Sequence, residues 1–240
     1  MKIIIVNDTD EFGKAAFEPI RELLSTKNDA VLGLATGSTP LPLYREMIKD
    51  REERGTSYKN VTTCNLDEYV GLPASHPESY VNFMTRNLFS KIDIDMKNVN
   101  IPNGLAPDVS AECARYSAVL EKITPDIQVL GIGANGHIAF NEPGTSFSSK
   151  THQVFLTAKT IADNSRFFNS PDEVPRSAIT MGISEIMRAK KILMLATGSN
   201  KADAVFRMIK GEVTETCPAS VLQLHKNVTV ILDKEAAVKL

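Results

Sequence analysis

Short runs of Val, Ile and Leu alternate along this chain with longer stretches whose apolar residues recur at helical spacing. Such runs are typical of parallel strands buried on both faces, and parallel strands need long, usually helical, crossover connections. The pattern predicts strands at 2–6, 30–35, 61–65, 126–131, 190–196 and 228–232, with helices at 8–24, 40–53, 77–89, 110–123 and 201–210. It indicates the α/β class, with a mostly parallel sheet covered by helices on both faces.

The composition is that of a globular protein, with 42% hydrophobic and 23% charged residues among 240. No charge block or Pro/Ser-rich segment marks a linker, so we predict a single α/β domain over residues 1–240. Lys and Arg number 27 against 29 Asp and Glu, which gives a net charge of −2. That balance disfavours a non-specific nucleic-acid or membrane-surface binder, and we expect neither partner.

The three cysteines, Cys64, Cys113 and Cys217, are scattered and form no CxxC pair. A disulfide framework or a structural zinc site is therefore not expected, and a reducing, cytoplasmic location is. The N-terminal run "MKIIIVNDTDE" is too short for a signal peptide and is predicted to be a strand. No stretch approaches the roughly 20 apolar residues of a transmembrane helix.

The pentapeptide Leu-Ala-Thr-Gly-Ser occurs twice, in "LATGSTP" from residue 34 and in "LATGSNKA" from residue 195. Each copy ends an apolar run and precedes a helical stretch, where backbone N–H groups and the helix dipole favour an anion. The first copy offers Thr36, Gly37, Ser38 and Thr39, and the second adds Lys201 at the helix start. A simple helix cap and a solvated lysine are the alternative interpretations. Neither copy has the spacing of a Walker A or GxGxxG motif, which disfavours nucleotide binding and leaves a small phosphorylated metabolite open.

The run "GIGANGHIAFNEPG" from residue 131 combines glycines with Asn135, His137 and Glu142. Glycines let a ligand approach the backbone, a histidine can transfer a proton near neutral pH, and a nearby carboxylate could orient the imidazole. The density of glycine and polar residues favours a catalytic loop over a lone structural histidine.

Two further runs carry candidate residues. In "NLDEYVGL", Asp67 and Glu68 follow a predicted strand, where carboxylates can supply a general base and where too few others lie nearby for a metal site. In "NSRFF", Arg166 could reach a phosphate with two parallel hydrogen bonds. The alternative for Arg166 is a surface arginine whose stem covers apolar area.

These motifs, with "LQLH" near the end of the chain, occur in an order that resembles the glucosamine-6-phosphate deaminases. The resemblance implies a Rossmann-like fold shared with 6-phosphogluconolactonases and ribose-5-phosphate isomerases. It also implies conversion of glucosamine 6-phosphate and water to fructose 6-phosphate and ammonia, with no metal and no organic cofactor.

The same resemblance implies roles for the residues already singled out. His137, oriented by Glu142 and Asn135, helps open the sugar ring, and Asp67 moves a proton from C2 to C1. The implied set of phosphate and sugar-binding residues is Thr36, Gly37, Ser38, Thr39, Arg166 and Lys201.

The chain departs from part of that family at two places. Asn135 stands where allosteric members have an aspartate, which leaves Glu142 as the only carboxylate beside His137. His152 and Val154 stand where those members place basic residues for a regulatory sugar phosphate, and the chain ends at Leu240 where they continue. We therefore expect a non-allosteric enzyme, with a monomer favoured over a hexamer. The rival hypotheses are a 6-phosphogluconolactonase-like hydrolase and a non-catalytic sugar-phosphate sensor, and "LDEY" and "FNEP" favour the deaminase.

Overall fold

The computed structural model describes residues 1–157, 161–162, 165, 168, 170 and 173–240. Its strands are β1 Lys2–Val6, β2 Val31–Leu34, β3 Thr62–Asn65, β4 Asp67–Tyr69, β5 Val99–Asn100, β6 Ile127–Leu130, β7 His152–Phe155, β8 Ser177–Thr180, β9 Ile192–Ala196 and β10 Val228–Asp233. Seven of them form a parallel sheet in the order β1-β10-β9-β6-β2-β3-β5. The other three form a small antiparallel sheet in the order β4-β8-β7.

The α-helices are α1 Thr9–Thr26, α2 Leu41–Arg54, α3 Tyr80–Asn87, α4 Val109–Lys122, α5 Ile183–Ile186 and α6 Ala202–Lys210. Short 3₁₀ turns add Phe89–Lys91, Met96–Asn98, Ser199–Lys201 and Pro218–Leu224. Local chemistry sets several ends: the Asp8 carboxylate caps α1 by accepting from the Glu11 amide at 2.8 Å, and α2 ends at Gly55, whose φ is +73°. Among the helices of the described residues, none combines the length and hydropathy that a bilayer-crossing segment needs.

The six strands and five helices predicted from the sequence are all present, with ends shifted by at most three residues. The central strands β2, β6, β9 and β10 are buried almost throughout, which is why they appear as continuous apolar runs. The prediction missed β5, α5 and the small antiparallel sheet. Two-residue and four-residue elements carry too little periodicity to detect, and β4 consists of acids and a tyrosine.

The strand order reverses beside β2, at the edge where the sequence predicts the functional residues. From β2 the chain continues to β3 and β5 on one side, then returns to place β6 on the other side and adds β9 and β10 beyond it. In open α/β sheets, ligands bind outside the carboxyl ends of the strands where the order reverses. The carboxyl ends of β2 and β6 lead into the first Thr-Gly-Ser turn and the glycine-rich loop, so both lie at this crevice.

Candidate active site

The two Thr-Gly-Ser turns lie on either side of β6 at one edge of the large sheet. β2 leads into residues 36–39 and β9 leads into residues 197–199, and β6 pairs with both strands. Neighbouring strands are about 4.8 Å apart, so the two turns are separated by roughly 10 Å. A small sugar phosphate can span that distance, with the loop that follows β6 between the turns.

The first turn leaves its donors unused by the described part of the chain. Gly37 has a φ of +98°, and α2 begins after Pro40 without a hydrogen bond from a capping side chain. Within the described residues, the amides of Gly37, Ser38 and Thr39 donate no hydrogen bond. The helix-cap interpretation of Ser38 and Thr39 is therefore not what the structure has, and the turn presents N–H groups at a helix N-terminus, as anion sites do.

The second turn is built differently from the first. The Gly198 amide donates to both carboxylate oxygens of Asp233, at 2.9 and 3.1 Å, from the end of β10. This bond fixes the turn, and Lys201 follows as the residue that precedes α6. The second copy therefore contributes a cation, while its glycine amide is already bonded to the protein.

Asp67 is the first residue of β4 and is only 7% exposed. Burial raises the pKa of its carboxyl to about 8, and the neighbouring charge of Glu68 adds to the rise. No described residue donates a hydrogen bond to the carboxylate of Asp67. A carboxyl group with a pKa near 8 is mostly protonated at neutral pH.

Glu68 has a different task from its neighbour. One of its carboxylate oxygens accepts from the amides of Tyr69 and Tyr80 at 2.8 and 2.9 Å, and the other accepts from the amide of Val81 at 3.0 Å. It therefore anchors the first turn of α3 to β4. Burial raises the pKa of Glu68, and these three bonds oppose the rise. The pair of acids predicted at this strand divides into one structural carboxylate and one candidate base.

An aromatic wall stands beside Asp67. The rings of Tyr69 and Tyr80 lie 4.7 Å apart, and Phe140 is 6.0 and 6.4 Å from them. Burial raises the pKa of Tyr69 to about 12, and the charge of Asp67 contributes. Phe168 meets Tyr69 edge-on at 6.1 Å. Sequence reasoning missed this wall, because its members come from four separate segments of the chain.

The glycine-rich loop folds back on itself to present His137. The Gly133 amide donates to the carbonyl of His137, and the Gly136 amide donates to the carbonyl of Gly133, both at 2.9 Å. A Cβ atom at Gly133 would lie 2.4 Å from the imidazole ring. Glycine is therefore required there, and the imidazole packs directly over the loop backbone.

The Glu142 carboxylate lies between Asn135 and His137. It accepts from the Asn135 side-chain amide at 2.6 Å, and its other oxygen lies 3.4 Å from Nδ1 of His137. The latter pair has ion-pair distance without hydrogen-bond alignment, since Nδ1 has no hydrogen-bond partner within the described residues. Asn135 accepts from the His137 backbone amide at 3.1 Å. Asn135 thus acts on the imidazole through the backbone and Glu142, whereas the sequence suggested direct orientation of the ring.

The small sheet connects this loop to the base. The Phe140 amide donates to Oγ1 of Thr180 at 3.1 Å, and Thr180 is the β8 partner of Asp67. The buried Asn141 side chain donates to the carbonyls of Ile138 and Met181. Asn141 belongs to the "FNEP" run, so that run contained a signal for it, whereas Thr180 had none.

The structure thus places Thr36, Gly37, Ser38, Thr39 and Lys201 in turns at the edge that also carries Asp67, Asn135, His137 and Glu142. Arg166 lies outside the described residues. In the described part of the chain, no three His, Cys, Asp or Glu side chains are grouped as metal ligands would be. The arrangement can move protons with a buried carboxyl and with an imidazole that has a carboxylate beside it, at the sheet edge where the amides of residues 37–39 are available to an anion.

Comparison with known proteins assigns nearly the whole chain to one family. Residues 9–231 match the family described as glucosamine-6-phosphate isomerases/6-phosphogluconolactonase. A glucosamine-6-phosphate deaminase of Thermoanaerobacter sp. (strain X514) is 52% identical over 238 residues, which cover 99% of this chain and 94% of that protein. One of Clostridium botulinum (strain Kyoto / Type A2) is 50% identical over 241 residues, with 100% and 99% covered.

Solved structures agree with this match. A monomeric glucosamine-6-phosphate deaminase superposes with a TM-score of 0.98 at 46% identity, with 100% of both chains covered. The 6-phosphogluconolactonase of Trypanosoma brucei gives 0.79 at 21% identity, covering 100% of this chain and 98% of that one, which shows a shared fold alone. The Rossmann-like fold and the family resemblance expected from the motifs are confirmed, and the chain belongs to the glucosamine-6-phosphate isomerase/6-phosphogluconolactonase family.

Proposed function

We propose that this protein is a glucosamine-6-phosphate deaminase, which converts glucosamine 6-phosphate and water to fructose 6-phosphate and ammonia. Relatives about 50% identical over 94% or more of their length carry that name, whereas the lactonases share the fold at about 20% identity. The observation that carries the proposal is the buried carboxyl of Asp67 at the same sheet edge as the His137–Glu142 pair, in which the carboxylate lies 3.4 Å from Nδ1.

The first step opens the pyranose ring. His137 transfers the proton between the anomeric hydroxyl and the ring oxygen, so that the C1–O5 bond breaks and an aldehyde forms at C1. Glu142 stabilises the imidazolium form during the transfer, because its carboxylate lies 3.4 Å from Nδ1. Asn135 holds that carboxylate in place with a 2.6 Å hydrogen bond.

The second step is isomerisation by Asp67. The carboxylate of Asp67 removes the proton from C2 while a proton passes from the C2 ammonium group to the oxygen on C1, which gives an enolamine. Asp67 then returns its proton to C1, which becomes a CH2OH carbon, and an iminium is left at C2. Water then adds to C2, and ammonia leaves to give the ketose. The sequence of steps needs no oxidant and no reductant, since the proton and the electron pair move within the substrate.

A base such as Asp67, whose carboxyl is protonated in the enzyme without substrate, suits a substrate that carries a positive charge. The amino group at C2 is positively charged in its protonated form and is attached to the carbon that Asp67 must deprotonate. An opposite charge within about 4–6 Å lowers the pKa of a carboxyl. Binding of the substrate thus generates the carboxylate at the point where it is needed, and the aromatic wall keeps the local dielectric low.

The phosphate is assigned to the two Thr-Gly-Ser turns. The unused amides of residues 37–39 and the positive end of α2 supply the anion site, and Lys201 supplies a charge from the other side of β6. Binding energy from the phosphate, remote from the reacting carbons, then positions C1 and C2 against the base.

The test is ammonia release from glucosamine 6-phosphate by the wild type and by Asp67→Asn, with Glu121→Gln as control. Glu121 is an exposed carboxylate that pairs with Lys150, so its replacement makes the same carboxyl-to-amide change at a surface ion pair. We expect wild-type rates in the control and a loss of at least 1,000-fold in Asp67→Asn, by order of magnitude for the removal of a general base. Release that survives in Asp67→Asn, or hydrolysis of 6-phosphogluconolactone in place of ammonia release, would overturn the proposal.

We further propose that the enzyme is a monomer without allosteric activation. The 46%-identical deaminase of matching fold is described as monomeric, and His152 and Val154 offer little charge for a regulatory phosphate. Hyperbolic kinetics and a mass near 26.3 kDa in light scattering are the expected results. A sigmoidal rate curve that N-acetylglucosamine 6-phosphate makes hyperbolic would contradict the absence of activation. The cytoplasmic location stays a prediction.

A further inference from the structure

An arginine on α6 connects the second Thr-Gly-Ser turn to the loop that carries His137. Arg207 donates from Nη2 to the backbone carbonyl of Asn135 at 2.8 Å. Lys201 is the residue that precedes α6, and Arg207 lies six residues further along the same helix. One short helix therefore joins the proposed phosphate site to the proposed ring-opening loop.

The hydrogen bond from Arg207 is made to Asn135, the residue whose side chain contacts both Glu142 and the backbone of His137. The Asn135 side chain holds the Glu142 carboxylate at 2.6 Å and accepts from the His137 backbone at 3.1 Å. A shift of the Asn135 backbone would therefore move the carboxylate and the imidazole together. An arginine is suited to the task, because a charged donor makes a shorter and stronger hydrogen bond to a carbonyl than a neutral one.

The next residue of the loop is fixed by a separate segment. The Gly136 carbonyl accepts from the Ala219 amide at 2.9 Å, and a Cβ atom on Gly136 would lie 2.7 Å from Sγ of Cys217. The loop is thus packed tightly against residues 217–219, while Arg207 is the side chain that holds its preceding carbonyl. Loss of the Arg207 bond would free the backbone at Asn135, while Asn135, His137 and Glu142 all stay in the protein.

We propose that Arg207 is a positioning residue that holds Asn135, and through it Glu142 and His137, in the geometry for proton transfer at the ring oxygen. The inference rests on the proposed function for its kinetic consequence, although the positioning itself can be measured without activity. Arg207 touches neither the substrate nor the reacting atoms in this assignment.

The kinetic test compares Arg207→Gln and Arg207→Lys with Arg188→Gln. Arg188 also donates to backbone carbonyls, with Nη2 3.3 Å from the carbonyl of Leu120, so its replacement removes a similar bond elsewhere. We expect Arg207→Gln to lower kcat about 10- to 100-fold with KM changed less than about threefold, because misplaced groups slow the chemistry rather than binding. Arg207→Lys should recover part of the loss. A kcat for Arg207→Gln within twofold of that of Arg188→Gln would overturn the proposal.

An isotope effect identifies the step. Deuterium at C2 slows the proton abstraction by Asp67 but not ring opening. If Arg207→Gln slows ring opening, the isotope effect on kcat should therefore be no larger in this variant than in the wild type. A larger effect would place the damage at the Asp67 step and contradict the assignment.

The imidazole resonances give a readout that does not depend on activity. The chain has four histidines, so the signals of His137 in histidine-labelled protein can be assigned with His137→Gln. We expect Arg207→Gln to shift these signals and Arg188→Gln to leave them unchanged. If the wild type released no ammonia, the proposed function would fail while this measurement still decided the positioning role. Unchanged His137 signals in Arg207→Gln would overturn it.

Discussion

Replacing Asp67 with asparagine should remove the proposed base and also stabilise the folded protein above about pH 5. Folding raises the pKa of this carboxyl from 3.8 to about 8, chiefly because burial disfavours the charged form. Between these values the unfolded chain has released the proton and the folded chain retains it. Deprotonation therefore favours unfolding, and stability falls as the pH rises from 4 to 8. Asparagine has nearly the same shape and no charge, so the variant escapes this loss.

The size of the effect follows from the two pKa values. Each tenfold difference in proton affinity is worth about 1.4 kcal/mol of unfolding free energy. The gain in Asp67→Asn is then under about 1 kcal/mol at pH 4 and about 4 kcal/mol at pH 7. Above pH 8 it approaches a ceiling of about 6 kcal/mol. Any hydrogen bond that the asparagine amide leaves unmade, at about 1–3 kcal/mol, reduces the gain at every pH by the same amount.

The assay is urea unfolding of both proteins at pH 4, 5, 6, 7 and 8. Glu68→Gln is the matched control, because Glu68 is the adjacent buried acid and accepts three backbone hydrogen bonds. Replacing Glu68 with glutamine should destabilise the fold by about 1–3 kcal/mol, since the amide nitrogen takes the place of one accepting oxygen and leaves at least one backbone N–H without its acceptor. A difference between Asp67→Asn and wild type that stays constant from pH 4 to 8 would refute the reasoning. If Asp67→Asn is stabilised but still releases ammonia, the catalytic role of Asp67 is refuted, while the reasoning about its pKa stands.

Three further predictions follow from the same geometry. In pH–rate profiles, kcat/KM reports the free enzyme, so it should rise with pH through an apparent pKa near 8. The profile of kcat should rise at lower pH, because the bound cationic substrate favours the carboxylate form of Asp67. Identical apparent pKa values in the two profiles would contradict this. Gly33→Ala should cost about 1–3 kcal/mol in urea unfolding, because its Cβ would lie 2.0 Å from the buried Gln128 side chain, and Gln128→Ala should relieve that cost in the double variant. Glu142→Gln should lose most of the activity, whereas Asn135→Asp should keep most of it. The pH–rate profile of Asn135→Asp should move to higher pH, because two carboxyl groups at hydrogen-bond distance share a proton. Comparable losses of activity in the two variants would contradict the separate roles of the two residues.

The sequence allowed prediction of those parts of the site that depend only on where strands end. Asp67 and His137 each follow an apolar run, and in a parallel sheet the carboxyl ends of all strands lie at one edge. The strand assignments were therefore enough to predict that Asp67 and His137 lie close together. The division of labour between Asp67 and Glu68 was beyond reach, because it depends on which carboxylate meets the first turn of α3, twelve residues further along the chain.

Contacts between distant segments account for the rest of what was missed. β4 pairs with β8, more than 100 residues away, and this pairing brings Thr180 beside Asp67 and under the loop of His137. Such a pairing has no local signature, because the strands are short and antiparallel partners can be joined by a chain of any length. The bond from Arg207 to Asn135 spans 72 residues and ends on a backbone carbonyl, to which side-chain patterns give no guide.

The repeated pentapeptide shows how equal sequence can serve unequal tasks. Both copies end a buried strand, turn at a glycine with φ near +90° and lead into a helix, so local structure follows the local sequence. Their surroundings then separate them: Asp233, at the end of the neighbouring β10, occupies the amide of Gly198, whereas the amide of Gly37 faces no such acceptor among the described residues. A carboxylate already bound to the second turn would repel a phosphate seated on it, so the anion is expected at the first turn, with Lys201 reaching across β6. The repetition therefore reflects a shared strand-to-helix geometry, and the residue at the end of the neighbouring strand decides whether the glycine amide of each copy is bonded to the protein or available to a ligand.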